Sequence, residues 1–266
     1  MSFQPTALAR DLINAEGPEA EKVLDSVLSA SVAGRQPGDI IHACLLTPQG
    51  KVLDTMFLHR MTHGFLIDVF QGRGAPLAKQ LNLYKMRSKA SFEKVPGTVY
   101  VAPDDKAPED AGADPRLEGL GRRWYTLGPL GGGPKNPSYF HLMRRLGIPE
   151  FGLDYQTGDV YPTEVNLDLL GAVDYKKGCF VGQEVASRMF RKAEIKKRTL
   201  KVYGDRDLPR GTALRQRGGI VGTVTSMIGG EGLAVMRLDR LEGSECFALV
   251  DGFDMRLKIR SPAYFT

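Results

Sequence analysis

A lone cysteine among small and basic residues is the most chemically suggestive feature of this 266-residue chain. Cys179 stands between Gly178 and Gly182 in the stretch DYKKGCFVGQEVASRMFRK. Glycines at those positions let a backbone or a ligand approach closely. A helical pattern begins at Val181, which sets Cys179 near the free N–H groups of a helix start, an end that favours negative charge. Lys176 and Lys177 add positive charge beside it. Both influences would depress the thiol pKa and raise the thiolate fraction, making Cys179 a candidate reactive or iron-binding thiol. The competing reading is a small apolar filler in a tight turn.

Charge gathers around the same stretch. From Lys176 to Lys201 there are nine Lys or Arg against two Glu. Interleaved Phe180, Met189 and Phe190 would suit a groove for an anionic ligand with a flat ring. The run would equally suit a weak contact with RNA phosphates, where Lys and Arg release counterions. No recognition module such as an RNP aromatic motif accompanies it. A solvated face is the plain alternative. The other two cysteines, Cys44 and Cys246, are remote, so neither a disulfide framework nor a CxxC metal pair is available. The four histidines, His42, His59, His63 and His141, suggest no catalytic triad or metal site.

The elements that must position Cys179 can be read from periodicity. Ala20, Val23, Leu24, Val27 and Leu28 share one helical face, with Pro18 suited to a first turn. Strand-like segments at 40–46, 52–59 and 65–69 are joined by the turn-rich TPQGK and MTHG, which predicts an antiparallel meander. Residues 76–84 read as a helix, 90–95 as a strand, 103–115 as an acidic, Pro-rich loop, and RRWYTL as a short strand. GPLGGGPKNPS reads as the most flexible segment. Ser138 suits the cap of the helix YFHLMRRL, with Gly147 ending it. From residue 199 short strands follow one another, with Asp251-Gly252 as a hairpin turn, predicting a small antiparallel barrel over 199–266. Segregated hairpins and helices of this kind make an α+β fold rather than a doubly wound sheet.

KKGCFVGQE resembles the KGC-x-x-GQE signature of the YgfZ family of folate-binding proteins, relatives of the glycine cleavage T-protein (aminomethyltransferase). YPTEVNLDLLGAVDY is similar to the family's Pro-x-x-x-Asn-Leu segment, and LLTPQGKVLDTMFL, LNLYKMRSKASF and DPRLEGLGRRWY occupy the expected places. GGIVGTVTS and GLAVMRLDR resemble its C-terminal barrel, so the likeness covers nearly the whole chain. The resemblance implies a T-protein-like, three-lobed folate-binding body over 1–198, with tetrahydrofolate in a central channel, and a β-barrel over 199–266. It also implies support of iron–sulfur cluster assembly or maintenance of iron–sulfur enzymes, with client or assembly proteins as partners. The working cysteine maps to Cys179 and the signature's lysine to Lys177.

A pterin presents an N–H and an amino group side by side, which a carboxylate accepts as a pair. The resemblance aligns Glu164 with a T-protein glutamate and so nominates it as the pterin's partner, against a simply solvated glutamate. Phe180, where the family usually has Tyr, would stack on the ring or else pack in the core. Lys177 or Arg188 would meet the carboxylates of the folate tail. Arg188 lies one turn after Glu184, so an intrahelical ion pair competes, and Gln183 and Glu184 would otherwise cap the first turn.

The alternative is a folate-dependent aminomethyltransferase. In DVFQGRGAPLAKQL, however, the acid that T-proteins carry in the helix after this strand is missing, and T-proteins lack the KGC cysteine. Asp68 is the one acid that would rescue that chemistry; a lone Asp in an apolar strand more commonly faces solvent or bonds a nearby turn. Composition agrees with a packed protein: 42% hydrophobic and 25% charged residues, with a net charge of +5. No apolar run approaches the roughly 20 residues that span a bilayer. The start, MSFQPTALARDLINAEG, lacks a signal-peptide pattern, so a cytoplasmic protein is expected.

Overall fold

The computed structural model describes residues 4–128, 137–192 and 195–265, and most of the glycine-rich segment GPLGGGPKNPS lies outside them. The first strands are β1 (Thr6–Leu8) and β2 (Arg10–Glu16), followed by helix α1 (Ala20–Val27). The meander comprises β3 (Ile40–Leu46), β4 (Val52–Arg60) and β5 (Phe65–Phe70), and α2 (Gly74–Tyr84) follows it. Next come β6 (Ser91–Val95), β7 (Gly97–Ala102), β8 (Gly112–Ala113), β9 (Arg122–Leu127), α3 (Ser138–Leu146) and α4 (Gln183–Lys192). The last part of the chain is all β: β10 (Lys197–Tyr203), β11 (Ala213–Gln216), β12 (Gly219–Ile228), β13 (Glu231–Arg237), β14 (Glu245–Val250) and β15 (Phe253–Arg260).

Three β units result. A five-stranded antiparallel sheet has the order β3-β4-β5-β2-β6, a four-stranded one the order β1-β7-β9-β8, and β10-β13-β12-β11-β14-β15 close into a barrel. The meander expected from TPQGK and MTHG is present. Strand β5 shows why the first two units belong together. Its sequence FLIDVF is buried on both faces except at its last residue. Phe65, Ile67 and Val69 pack beneath α1 and α2 with Ile13, Val23, Leu24, Leu77 and Leu81. The alternate residue Leu66 packs with Leu12 and Val99, on the side of the four-stranded sheet. Period-2 alternation therefore sends Asp68 to that same inner face.

Several local expectations change. The N-terminal residues form β1 and β2, unrecognised in the sequence, and β2 is an inner strand between β5 and β6. Pro18 lies in the turn before α1 rather than in its first turn. The 103–115 loop contains a 3-10 turn at Asp104–Lys106 and the short β8. Ser138 is the first residue of α3, not its cap; its Oγ accepts the Gln4 N–H at 3.3 Å instead. Gly147 does end α3, in the left-handed conformation (φ 83°) that glycine takes without a Cβ clash.

The barrel is filled by Leu200, Val202, Leu214, Val224, Met236, Cys246 and Leu257. Asp251 and Gly252 both have positive φ, 52° and 84°, as the tight β14–β15 hairpin requires. Many polar contacts join the barrel to the body, including the following three. Arg198 makes a forked pair with Asp168, at 2.5 and 2.8 Å. Asn166 Nδ2 donates to Thr199 O at 2.8 Å. Asp154 accepts Thr225 Oγ (2.8 Å), Ser226 Oγ (2.6 Å) and the Glu150 N–H (2.9 Å).

The Asp154 joint is buried, and burial raises that carboxyl above the ordinary aspartate value. Asp154→Ala removes the acceptor of Ser226 Oγ and of the Glu150 N–H, while Thr225 Oγ keeps Leu233 O at 3.1 Å, so it should lower unfolding stability by about 1–3 kcal/mol. Denaturant unfolding monitored by circular dichroism checks this; an unchanged midpoint would remove Asp154 as a joint.

Candidate functional site

Of the three cysteines, Cys179 alone is exposed; Cys44 and Cys246 are buried. Ser29 Oγ stands 2.9 Å from the Cys44 sulfur, and burial pushes that thiol up to about 12. Burial likewise pushes Cys246 up to about 12, inside the barrel. Neither offers a thiolate at neutral pH, so the chemistry of a free sulfur rests on Cys179.

The loop that carries Cys179 is fastened on several sides. Asp174 N–H donates to Ser29 O at 2.8 Å, and Ser31 Oγ donates to Asp174 Oδ2 at 2.7 Å. The Lys176 N–H donates to Asp174 Oδ1 at 2.8 Å. Phe180 is buried in a cluster with Cys44, Leu46, Val52, Val165 and Tyr175. Gly182 has φ +77° and lies so close to Thr47 O that a Cβ there would collide with it. Tyr175 stacks on Phe190 of α4 at 4.0 Å, laying the helix against the loop.

The residues nominated with Cys179 do not gather around one hollow. Helix α4 begins at Gln183, four positions beyond Cys179, so the thiol is not in its first turn. The Lys177 ammonium turns inward, donating to Asp25 O (2.5 Å), Ala30 O (2.9 Å) and Leu28 O (3.0 Å) at the end of α1. It is therefore not free for a folate carboxylate. Burial lowers its pKa, against the opposing pull of Asp25.

Glu164 is engaged too: Oε2 accepts the Tyr161 N–H at 3.0 Å and Oε1 pairs with Lys197 at 3.2 Å. Phe180 takes the packing role, with the Lys177 ammonium 5.9 Å from its ring centre. Gln183 Nε2 reaches Lys177 O at 3.5 Å. Glu184 and Arg188 are exposed, and the ion pair expected between them is not among the charge pairs of the described residues.

Asp68 departs furthest from expectation. It is fully buried, paired through Oδ1 with Arg10 Nε and through Oδ2 with Arg123 at 3.1 Å. Burial alone would raise its pKa, but Arg10 and then Arg123 outweigh that and hold it well below the usual carboxylate range. A carboxylate held ionised by two guanidiniums is a poor proton acceptor, so Asp68 does not supply a T-protein-like acid–base group. Arg116 extends the cluster, binding Asp114 at 2.8 Å and Glu150 at 3.1 Å, while Arg10 also reaches Glu150 at 3.0 Å. Asp114 is lowered as Asp68 is, Arg116 overcoming its burial.

Sequence patterning missed this cluster, because its members come from five separate segments.

A cavity of about 360 Å³ borders the cluster, lined in part by His59, Met61, Asp110, Arg123, Trp124 and Tyr125. Among the described residues, His59 Nε2 and Arg123 Nε have no hydrogen-bond partner, Asp68 Oδ2 being 3.9 Å from the imidazole. Burial lowers the His59 pKa. A second cavity, about 510 Å³, includes Glu16, Glu21, Arg60 and His63 in its lining. Cys179 lines neither of the two. His59 and His63 are four residues apart, but one is buried in β4 and the other exposed in the turn after it. Among the described residues no group of three or more His, Cys, Asp and Glu is placed to hold a metal, and no helix is long and apolar enough to cross a membrane.

Residues 196–266 match the family model described as the CAF17 C-terminal beta-barrel domain. The chain is similar to the protein named iron-sulfur cluster assembly factor IBA57 homolog, mitochondrial, of Pyricularia oryzae: 29% identity, covering 94% of this chain and 77% of that protein. It is 28% identical to the human iron-sulfur cluster assembly factor IBA57, mitochondrial, over 96% of this chain and 83% of the relative. Against the Neurospora crassa homolog of the same name identity is 30%, over 72% of this chain but only 51% of the relative, so that match spans about half of the fungal protein. The crystal structure of glycine cleavage system aminomethyltransferase T from Bartonella henselae superposes with a TM-score of 0.81, covering 98% of this chain and 86% of that one. Sequence identity there is 15%, so that likeness concerns the fold, which is T-protein-like.

Two expectations follow from the site. In the native protein one thiol should react promptly with a chromogenic disulfide, and the other two only after unfolding; Cys179→Ala should abolish the prompt phase. The second concerns acid. Asp68 and Asp114 have depressed folded-state values, so their stabilisation is present above about pH 4, the unfolded value, and is lost as pH falls below it. Asp68→Asn should cost about 3–5 kcal/mol at neutral pH by leaving buried charge unpaired. It should also flatten the loss of stability below pH 4, by up to about 1.4 kcal/mol per pH unit. Unfolding titrations of both proteins from pH 7 to pH 2 check both parts.

Proposed function

We infer that this chain, a CAF17/IBA57-type protein on the T-protein-like fold, serves iron–sulfur cluster assembly through the Cys179 thiol. The observation that carries the reading is the exposure of Cys179 on a fastened loop while both other cysteines are buried. A thiolate is a soft ligand suited to iron and to sulfur exchange. One cysteine does not complete the coordination of a cluster, so the remaining ligands come from an assembly or client protein or from a small thiol. The cluster is cargo in this scheme. The narrower likeness to the YgfZ proteins rests on KKGCFVGQE and its flanking segments.

Tetrahydrofolate is the ligand we propose for the 360 Å³ cavity, in place of the residues first nominated. Glu164, Lys177 and Phe180 are committed to protein contacts, whereas the cavity combines ring walls with unsatisfied polar atoms. Tyr125, on the His59 and Met61 side of β9, would wall a pteridine, the Asp110 carboxylate would accept its paired N–H groups, and Arg123 Nε offers a further donor. When bound, the group would supply a reduced pteridine. The aminomethyltransferase alternative is less favoured, since Asp68 is sealed between Arg10 and Arg123 and the first turn of α2 has no acid.

The test pairs two measurements. Cys179→Ala should lower the activity of iron–sulfur enzymes in cells that depend on this chain, with the protein's stability unchanged. Full activity would overturn the assembly reading at this residue. In calorimetry, tetrahydrofolate should bind the wild type, and Tyr125→Ala should weaken binding by about 10-fold or more, the scale of one lost stacking contact, while Glu164→Gln leaves it unchanged. No binding to the wild type would remove folate and leave the Cys179 result standing.

A further inference from the structure

We propose that Lys177 is the positioning residue for Cys179: it fixes where the thiol meets a macromolecular partner and takes no part in the thiol's own chemistry. The proposal rests on the assembly reading of Cys179 and deepens it.

The donor arithmetic of the side chain is the starting point. A lysine ammonium has three N–H donors and no acceptor. Three backbone carbonyls, Asp25 O, Leu28 O and Ala30 O, receive them at 2.5, 3.0 and 2.9 Å. The Asp25 carboxylate stands 3.4 Å away, itself held by the Val32 and Ala33 N–H groups at 2.7 and 3.2 Å. The Lys177 side chain is 3% exposed. No proton is left over for a thiolate, a substrate or a folate tail, although Lys177 is only two residues from Cys179.

Asp25 O and Leu28 O lie at the C-terminal end of α1, which bears partial negative charge and attracts cations, and Ala30 O lies in the chain just beyond it. Helix α1 has no basic residue in its own last turn. Lys177 supplies that charge from about 150 residues further along the chain. The result is a tether between the end of α1 and the backbone immediately before Gly178-Cys179. On the other side of the thiol, Phe180 is sunk in the core and Gly182 is pressed against Thr47 O. The exposed dipeptide 178–179 thus spans two anchors, Lys177 and Phe180. Fixed presentation reduces the ordering cost of docking and holds a reacting atom in register, which a loosened loop forfeits.

The experiment uses the full chain carrying Lys177→Met, which keeps the aliphatic stem and removes the ammonium. The expected result has two parts, both normalised to folded protein. Alkylation of Cys179 by iodoacetamide should keep its rate within about twofold and its pH midpoint unchanged. Iron–sulfur enzyme activity in dependent cells should fall by between about 10- and 100-fold, the range that a small misplacement costs. A raised alkylation midpoint overturns the proposal, since it means that the ammonium tunes the thiol. Unchanged enzyme activity overturns it as well, provided Cys179→Ala is inactive; if Cys179→Ala is itself active, the assembly reading fails instead.

Should Lys177→Met not fold, Lys177→Arg keeps the charge but cannot place one nitrogen among three convergent carbonyls. Hydrogen exchange of amides 176–182 should then quicken relative to those of β4, together with a fall in enzyme activity. Exchange that stays slow while activity falls would overturn the positioning role.

Discussion

The meeting of three guanidiniums and three carboxylates over the ring of Phe57 is the constraint on which this architecture turns. Arg123 lies 3.7 Å from the centre of that ring, Arg116 4.9 Å and Arg10 5.6 Å. Their partners are Asp68, Asp114 and Glu150, so the formal charges cancel. Charges this deeply buried are tolerable only when every partner is in place, because an unpaired one carries a desolvation penalty of several kcal/mol. Arg10 comes from β2, Phe57 from β4, Asp68 from β5 and Arg123 from β9, so the cluster ties the five-stranded sheet to the four-stranded one. Glu150 brings in the chain after α3, and its N–H donates to Asp154, which grips the barrel. The placement of the third unit is thereby linked to the first two.

The same cluster decides where chemistry is available. The buried acids Asp68 and Asp114 are each neutralised by arginine. Two of the three sulfurs are consigned to apolar packing, where their thiols stay protonated. What reaches solvent is Cys179, on a loop sewn to α1 and to the β3–β4 turn. The division is physical: a charge-saturated interior supplies rigidity, and the exposed thiol sits at the surface.

Local patterns made much of the frame legible. The meander, α1, the end of α3 at Gly147 and the closing barrel each carry short-range signals, namely alternation, helical spacing and turn residues. Strand β2 was hidden because RDLINAE reads as polar; Arg10 and Asp11 look like surface residues until their partners are known. Asp68 misled for the same reason, its arginines lying 58 and 55 residues away. Lys177 was read with its sequence neighbour Cys179, although its true partners are the carbonyls of α1. In each case a charged side chain was assigned to the nearest plausible feature, while a distant segment had the unsatisfied complement. The exposure of Cys179, by contrast, depends on no distant partner, since the glycine-containing turn that carries it is local.

This contrast bears on how such a site can be specific. A single soft ligand on a rigid mount cannot select iron by coordination geometry, since geometry requires several ligands. Nor can it retain a cluster once a partner departs. Under the proposed assembly role, selectivity would reside in the docking event, with the second protein contributing the missing ligands and recognising the surface around residues 176–188. A thiol that moved freely would react with any electrophile or disulfide it met; one held between Lys177 and Phe180 is offered along one approach. The tether at α1 and the buried aromatic would then do for the proposed site part of what a full set of protein ligands does for a closed metal centre: they fix where the thiol stands.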